Sequence, residues 1–200
     1  MTSHAKPLAV ILAGGQSRRM GGGDKTLLAL KGRPLLSHIV ARLKNQAQPI
    51  VLNANGDAAR FAKFGLTVIP DRLAAAKGPL AGLHAGLSHA VEVKAEWVLT
   101  VPSDVPFLPA DLARRLKAAL GGGAAAIAAS AGRKHPVIGL WHTGLLPRLT
   151  EACEKGMTQM HAWVALSGAV VVTWDNDPFL NLNSLADFQA AEAVLQQHAS

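Results

Sequence analysis

The sequence is poor in the residues that define several common protein classes. Its 200 residues include one cysteine, no tyrosine and 4% aromatic residues. The single cysteine, Cys153, excludes an internal disulfide and argues against a zinc cluster, so we expect it to pack within a helix. Scarce aromatics argue against a surface that stacks nucleic-acid bases, so no nucleic-acid partner is expected. Hydrophobic runs are too short for a membrane span or a signal segment, which predicts a cytoplasmic protein without a membrane partner.

Acidic residues are also in deficit. The chain has 20 Lys and Arg against 13 Asp and Glu, a formal net charge of +7. Because the basic residues are dispersed rather than clustered, they favour a small, highly phosphorylated ligand over a nucleic acid. Half of the residues are hydrophobic, enough for one sizeable core, and no linker or repeat indicates a second. We predict a single domain over residues 1–200 that acts as a monomer.

A glycine-rich, cationic loop follows the first apolar run. Residues 8–12 are typical of a buried strand, and the strand is followed by Gly14 and Gly15. The loop continues through Arg19 and a glycine triplet to Lys25. Glycines let backbone N–H groups approach a ligand, and the cations supply fixed positive charge, so the loop suits a triphosphate. The alternative, a flexible surface turn, requires neither the buried strand nor the cations.

Two better-known phosphate-binding loops do not match this segment. A P-loop requires Gly-Lys followed by Ser or Thr, whereas Lys25-Thr26 follows Asp24. The dinucleotide fingerprint G-x-G-x-x-G is also absent after the first strand. The loop is therefore of a third kind.

Further apolar runs are predicted to be strands that end in polar residues. The segment PIVLNAN ends with Asn53 and Asn55, LTVIPD ends with Asp71, and the run at 97–101 leads to Asp104. Helices are predicted from Pro34 and Pro79, at 111–120 and within 145–166. Because ligands bind beyond the carboxyl ends of strands in an open α/β sheet, we expect these polar residues to converge there.

Asp104 has two interpretations. It lies between two prolines and could cap a helix that begins near Pro109. Its place beyond a buried strand instead favours Mg²⁺, since a hard cation bound to phosphates needs only one or two protein carboxylates plus water. We predict that Asp104 is the metal ligand.

The second half of the chain carries a weaker pattern. A strand is predicted at 137–141, preceded by basic residues that include His135, which suggests a second edge facing an anion. The alternative for His135 is a solvated turn residue before a proline. Ser184 is predicted to cap a closing helix, which explains Asn183 in part. It does not explain Asn181, whose amide could reach the crevice as a neutral oxygen donor.

Taken together, these motifs resemble the molybdenum cofactor guanylyltransferases. The loop is similar to their signature L-A-G-G-x-S-x-R-M-G-x-D-K, with extra glycine in this chain. The resemblance continues through VLNAN, GPLAGL, P-x-D, HPVIGLW and N-L-N, although the Thr and Glu usual after the last motif are replaced. It implies an α/β fold, a Rossmann-like three-layer sandwich with a mostly parallel sheet.

The resemblance also implies an activity, the transfer of GMP from GTP to the molybdenum–molybdopterin cofactor with release of pyrophosphate. It implies Mg²⁺ on Asp104 and catalytic roles for Arg19, Lys25 and Asp104. The N-terminal part would bind GTP and the C-terminal part molybdopterin, with molybdoenzymes or their chaperones as candidate recipients of the product. The implied GTP contacts are Leu12, Ala13, Gly14, Gly15, Lys25, Asn53, Asp71 and Asp104, and the implied molybdopterin contacts are His135, Asn181 and Asn183.

Three alternatives remain at this point. A molybdenum cofactor cytidylyltransferase typically has L-A-A-G in the loop and lacks GPLAGL. A non-catalytic module that binds or delivers the cofactor would not need Lys25 or Asp104. A sugar-phosphate nucleotidyltransferase would need additional sugar-binding segments, for which 200 residues leave little room.

Overall fold

A seven-stranded sheet forms the centre of the computed structural model, which describes residues 5–13 and 24–197. Predictions that concern Gly14, Gly15 and Arg19 lie outside the described residues. The strands of the described chain are β1 (Leu8–Leu12), β2 (Ala29–Leu30), β3 (Arg33–Pro34), β4 (Ile50–Asn53), β5 (Thr67–Ile69), β6 (Trp97–Pro102), β7 (Ala125–Ser130), β8 (Arg133–His142) and β9 (Val170–Trp174). The α-helices are α1 (Leu35–Leu43), α2 (Pro79–Glu92), α3 (Leu112–Ala118), α4 (Leu146–Glu154), α5 (Met160–Ser167) and α6 (Leu185–Gln197).

The sheet is mostly parallel, as predicted. Its strand order is β5-β4-β1-β6-β8-β7-β9, and β2 and β3 form a separate small hairpin. Pairing is parallel across β5-β4-β1-β6 and between β7 and β9. Only β8, among the strands of the main sheet, runs antiparallel to its neighbours β6 and β7. The carboxyl ends of the other six strands therefore lie at one edge of the sheet, where β8 begins.

Two hydrophobic cores cover the two faces of the sheet. One core contains residues of α1, α3 and α6, and the other contains residues of α2, α4 and α5. Strand β1 contributes to both, because successive side chains of a strand point to opposite faces. Ala9 and Ile11 belong to the first core, and Leu8 and Val10 to the second. This arrangement is the three-layer α/β sandwich that the resemblance implied.

Helix α2 packs unusually close to the sheet because it carries glycines on the contact face. A Cβ atom added to Gly82 would lie 2.5 Å from the side-chain oxygen of Asn53 and 2.6 Å from the Leu12 side chain. A Cβ added to Gly86 would lie 2.6 Å from Val10. These distances are shorter than any carbon contact that a packed interior accommodates. The predicted helix from Pro79 is confirmed, and its small residues set its distance from β1 and β4.

Strand β8 is longer than predicted. It begins at Arg133 rather than Val137, because residues 133–135 pair with the end of β7 across a tight hairpin. The pairing register shifts between Ile127 and Ala128, close to Pro136. Proline lacks an N–H donor and is tolerated within sheets at such irregularities. His135 is consequently a strand residue, and the alternative of a solvated turn is wrong.

The remaining helix predictions agree with the structure to within a few residues. Helix α1 begins directly after Pro34, α3 occupies the centre of the predicted segment, and the region 145–166 contains both α4 and α5. Cys153 lies in α4 and is buried, as expected. Within the described ranges, every helix is too short or too polar to cross a lipid bilayer.

Candidate active site

Polar residues meet at the carboxyl edge of the sheet. Asp71 follows β5, Asn53 ends β4, Ala13 follows β1 and Asp104 follows β6. These four strands are neighbours and parallel, so the residues lie in strand order along one edge of the sheet. The predicted convergence is therefore present in the structure.

The first group of side chains is built around Asp71. The amide of Asn53 is buried, and it donates to Asp71 Oδ1 at 3.0 Å and to the carbonyl of Ile69 at 3.1 Å. Asn55 donates to Asp71 Oδ2 at 2.7 Å and accepts from the Asp71 N–H at 2.9 Å. Each carboxylate oxygen thus receives one hydrogen bond, and the carboxylate is held in a fixed orientation.

Leu12 and Ala13 connect this group to β6 through the backbone. The Ala13 N–H donates to the Asn53 carbonyl at 2.9 Å, and the Leu12 carbonyl accepts from the Ser103 N–H at 3.1 Å. The hydrogen-bonded ladder therefore extends beyond the strand ends to the turn that carries Asp104. This continuity fixes the separation between the Asp71 group and Asp104.

The second group joins residues that are far apart in sequence. Lys25 Nζ donates to Asp104 Oδ2 at 2.9 Å and to Asn183 Oδ1 at 2.7 Å. The side chains of Lys25 and Asp104 are 14% and 20% exposed, so the ion pair is accessible but largely screened from solvent. Three predicted site residues from the beginning, middle and end of the chain are thereby brought together.

Asp104 retains an unused acceptor. Its Oδ1 atom is buried and makes no hydrogen bond within the described part of the chain. A buried carboxylate oxygen without a partner carries a desolvation cost that a cation would offset. The residue that precedes α3 is Asp111, so Asp104 does not cap that helix and this alternative is wrong. The donor set of one carboxylate and a nearby amide oxygen fits a hard divalent cation.

The segment 181–183 is fastened to the Asp104 turn. The Leu182 N–H donates to the Asp104 carbonyl at 2.9 Å, and the Leu182 side chain is fully buried. Asn181 and Asn183 flank it and are exposed. Asn183 faces Lys25, whereas Asn181 makes no side-chain hydrogen bond within residues 5–13 and 24–197.

A capping box fixes the start of the last helix. Asp187 Oδ2 accepts from the N–H groups of Asn183 and Ser184, at 2.8 and 2.7 Å, and Ser184 Oγ accepts from the Asp187 N–H at 3.3 Å. These bonds lower the pKa of Asp187 below its usual value. The predicted Ser184 cap is confirmed, and it also orients Asn183 towards Lys25.

His135 lies in a third group, on the β7–β9 half of the same edge. Its Nε2 is 2.7 Å from Ser130 Oγ, and that hydroxyl donates to Asp177 Oδ1 at 2.6 Å. Because the hydroxyl has one proton, His135 Nε2 is the donor to Ser130. The imidazole also packs against Phe179 with ring centroids 4.9 Å apart, and burial lowers its pKa. No hydrogen bond within the described residues joins His135 to Lys25 or Asp104.

Sequence reasoning missed the residues that hold others in place. The sequence patterns assign no role to Ser130 or Asp177, and they indicate Asn55 only as a strand-end residue. Their hydrogen-bond partners lie 5 to 47 positions away in the sequence. Local sequence patterns do not predict these hydrogen bonds. A separate cavity of about 620 Å³ between α4 and α5 contains none of the residues discussed above.

Comparison with known proteins assigns the chain to a class of enzyme. The family described as MobA-like NTP transferase domain matches residues 9–173. The molybdenum cofactor guanylyltransferase of Nitrobacter hamburgensis is 44% identical over 92% of each chain. That of a Bradyrhizobium species is 45% identical, over 96% of this chain and 94% of its own. The chain belongs to the molybdenum cofactor guanylyltransferase family.

The fold agrees with this membership in the guanylyltransferase family. Molybdopterin-guanine dinucleotide biosynthesis protein A from Archaeoglobus fulgidus superposes with a TM-score of 0.72, at 22% identity, over 95% of this chain and 99% of its own. As a member of the family, the chain is a nucleotidyltransferase. Nucleotidyltransferases of this family generally use a divalent metal ion.

Proposed function

We propose that this guanylyltransferase transfers GMP from GTP to the molybdenum–molybdopterin cofactor and releases pyrophosphate. The observation that carries the proposal is the Lys25–Asp104 pair at the carboxyl edge of the sheet, where the other Asp104 oxygen is buried and has no hydrogen-bond partner in the described part of the chain. The terminal phosphate of molybdopterin attacks the α-phosphorus of GTP, a P–O bond forms, and the bond to pyrophosphate breaks. Because a phosphate monoester is ionised at neutral pH, this nucleophile needs no general base.

The site must neutralise charge and align the reacting groups, as in other phosphoryl-type transfers. Asp104 would hold Mg²⁺ through its free oxygen, and Asn183 offers a second oxygen nearby. Bound Mg²⁺ would neutralise phosphate charge and polarise the P–O bonds.

Lys25 supplies a point charge, and two of its three N–H donors are used by Asp104 and Asn183. The third donor has no partner among the described residues, and we propose that it binds a phosphate oxygen. Arg19, Gly14 and Gly15 complete the phosphate site in this proposal.

Asp71 is proposed to read the guanine base. Guanine presents N1–H and N2–H₂ side by side, a pair of donors that a carboxylate accepts, whereas cytosine presents a different order of donors and acceptors. Each Asp71 oxygen already accepts one bond from Asn53 or Asn55 and retains a further lone pair. The carboxylate is therefore oriented without being saturated. The backbone of Leu12 and Ala13 would line the path from base to phosphates.

The acceptor is proposed to lie against the β7–β9 half of the edge. His135 and Asn181 are the candidate molybdopterin contacts there, together with Asn183 at the boundary with the metal. In this proposal a single domain over residues 1–200 acts as a cytoplasmic monomer. The N-terminal part binds GTP, the C-terminal part binds molybdopterin, and molybdoenzymes or their chaperones receive the product.

The decisive experiment measures pyrophosphate release from GTP and from CTP in parallel, with Mg²⁺ and the molybdenum–molybdopterin cofactor. We expect GTP to be used at least 100-fold more efficiently, on the scale of a site that hydrogen-bonds its substrate. A preference for CTP would assign the chain to cytidylyl transfer instead. Absence of pyrophosphate release with either nucleotide, while the cofactor still binds, would indicate a delivery module.

A further inference from the structure

Arg60 bridges the two ends of the proposed nucleotide site. It lies in the 3-10 segment Ala58–Phe64 between β4 and β5, and all three guanidinium nitrogens are bonded. Nε donates to Asp24 Oδ2 at 3.1 Å, and one terminal nitrogen donates to the Asn55 carbonyl at 2.8 Å. The other terminal nitrogen donates to the Asp57 carbonyl. A planar guanidinium with three acceptors in fixed directions has little freedom to move.

Asp24 is the described residue directly before Lys25. Its Oδ1 accepts from the Thr26 N–H at 3.1 Å and caps the short 3-10 turn Lys25–Leu27. Its Oδ2 is the atom that receives Arg60. Arg60 therefore holds the residue from which the Lys25 turn begins.

The other end of the bridge is the turn that follows β4. Arg60 binds the backbone of Asn55, whose side chain orients Asp71. The guanidinium carbon also lies 4.4 Å from the ring centroid of Phe61, which is fully buried. Arg60 is thus anchored to the core on one side and spans the gap between the Asp71 group and the Lys25 turn.

We propose that Arg60 is a positioning residue for guanylyl transfer, which fixes Lys25 at a set distance from the nucleoside end of the site through Asp24. This inference rests on the proposed function. It assigns to Arg60 no contact with substrate. Asp71 retains its bonds from Asn53 and Asn55 without Arg60, whereas Asp24 loses its partner. The loss of Arg60 should consequently affect the phosphate end more than the base end.

The test compares Arg60→Ala with wild type. We expect kcat to fall on the order of 10- to 100-fold, because small displacements of a catalytic group have effects of this size, while KM for GTP changes less than about threefold. In the ligand-free protein, amide hydrogen exchange at Thr26 should accelerate at least about fivefold as the capped turn opens more often. Arg60→Lys keeps the charge but cannot reach three acceptors, so it should resemble Arg60→Ala and serves if the alanine variant folds poorly.

Two further variants separate positioning from general damage. Asp24→Asn keeps the cap acceptor and removes the charge. Because Arg60 is proposed to act through Asp24, kcat of the double variant Arg60→Ala/Asp24→Asn should lie within about twofold of the slower single variant. Arg114→Ala is the control, because Arg114 is exposed on α3 and pairs only with Asp111 in the described residues. It should retain wild-type kinetics.

Unchanged exchange at Thr26 in Arg60→Ala would overturn the inference, and so would faster exchange with kcat within twofold of wild type. Multiplicative losses in the double variant would overturn it as well. If wild type released no pyrophosphate from GTP, the proposed function would fail separately, and exchange at Thr26 would still decide whether Arg60 holds the turn.

Discussion

Asp71 and Asp104 are carboxylates at the same edge of the same sheet, yet their surroundings differ. Both oxygens of Asp71 accept hydrogen bonds from the neutral amides of Asn53 and Asn55. One oxygen of Asp104 meets the ammonium of Lys25, and the other is buried without a partner in the described chain. Neutral donors orient a carboxylate without neutralising its charge, so the carboxylate can still accept hydrogen bonds from the N–H groups of a ligand. A cation beside one oxygen, and a second oxygen without a hydrogen bond in the described residues, suit a site where positive charge assembles around phosphates.

The difference indicates a division of labour along the edge. Asp71 is suited to recognition, because its geometry is fixed before the nucleotide arrives and little ordering remains to be done. In the proposed function Asp104 is suited to catalysis, because its Oδ1, which has no partner among the described residues, would bind a metal that neutralises charge in the transition state. Substitutions at the two carboxylates should therefore change different kinetic parameters.

The largest effect is expected for Asp104→Asn. The amide keeps the shape of the side chain but removes the negative charge that would hold Mg²⁺, so kcat should fall on the order of 10²- to 10³-fold. Pyrophosphate release measured over a range of Mg²⁺ concentrations checks this. Asp111→Asn, at a partly exposed position where the carboxylate pairs with Arg114, is the matched control. A variant at Asp104 with near-normal turnover and unchanged Mg²⁺ dependence would remove Asp104 from the metal site.

Lys25→Ala is expected to follow, with a loss in kcat of about 10²-fold while the protein stays folded. The ammonium contributes charge and alignment in the transition state, and its removal leaves Asp104 Oδ2 without a partner. Steady-state kinetics and circular dichroism together check the prediction, with the exposed Lys44→Ala as control. Near-normal activity of a folded Lys25→Ala protein would show that the reaction does not need this side chain.

Asp71→Asn should have a smaller effect, confined to base selection. Loss of the carboxylate removes an acceptor for the guanine N2–H₂ group, so kcat/KM for GTP should fall roughly tenfold or more. Inosine triphosphate lacks that amino group, and its kcat/KM should change much less. The ratio of the two nucleotides in wild type and variant measures the contribution directly. Equal losses for both would mean that Asp71 does not contact the amino group.

The smallest effect is expected for Asp177→Asn, which tests thermal stability rather than catalysis. Hydrogen bonds from Ser130 lead the causes that lower its pKa below the usual 3.8 in the folded protein. A carboxyl group whose pKa is lower in the folded than in the unfolded protein stabilises the fold. This contribution is complete well above pH 3.8, and it is lost as the pH falls through the folded-state pKa. Asp177→Asn should lower Tm by no more than about 4 °C at pH 7, because the pair with Arg133 is largely exposed.

Thermal unfolding of wild type and Asp177→Asn at several pH values checks the sign. The difference in Tm should be constant from pH 7 to pH 5 and should shrink below pH 3.8. A difference that grows on acidification would contradict the direction of the pKa shift.

Much of this arrangement was predictable from the sequence because it depends on local patterns. Apolar runs that end in Asn53, Asp71 and Asp104 indicated both the strands and the edge at which they end, since parallel strands share a carboxyl edge. The Ser184 cap was likewise a local signal. The contact between Lys25 and Asn183 was not predictable in this way, because it spans 158 positions and depends on how the last segment returns to the sheet.

The errors have a physical origin of the same kind. The early start of β8 follows from pairing with β7 across a hairpin, and the run around His135 and Pro136 has no strand-like pattern of its own. Arg60 lies in the segment Ala58–Phe64, whose sequence has no recognisable motif. Its importance arises from three acceptors supplied by Asp24, Asn55 and Asp57. Residues that position others are set by tertiary partners, and short motifs identify them poorly.

Substitutions at the glycines of α2 should affect residues on the neighbouring strands of the sheet. A single methyl group at Gly82 would displace the Asn53 side chain, which donates a hydrogen bond to Asp71. The orientation of Asp71 would change as a result, although Gly82 is not among the proposed substrate contacts. The spacing between α2 and the sheet should therefore affect which nucleotide the proposed site selects. Anyone who seeks to re-engineer base preference in this chain has to treat that spacing as a design variable alongside the crevice itself.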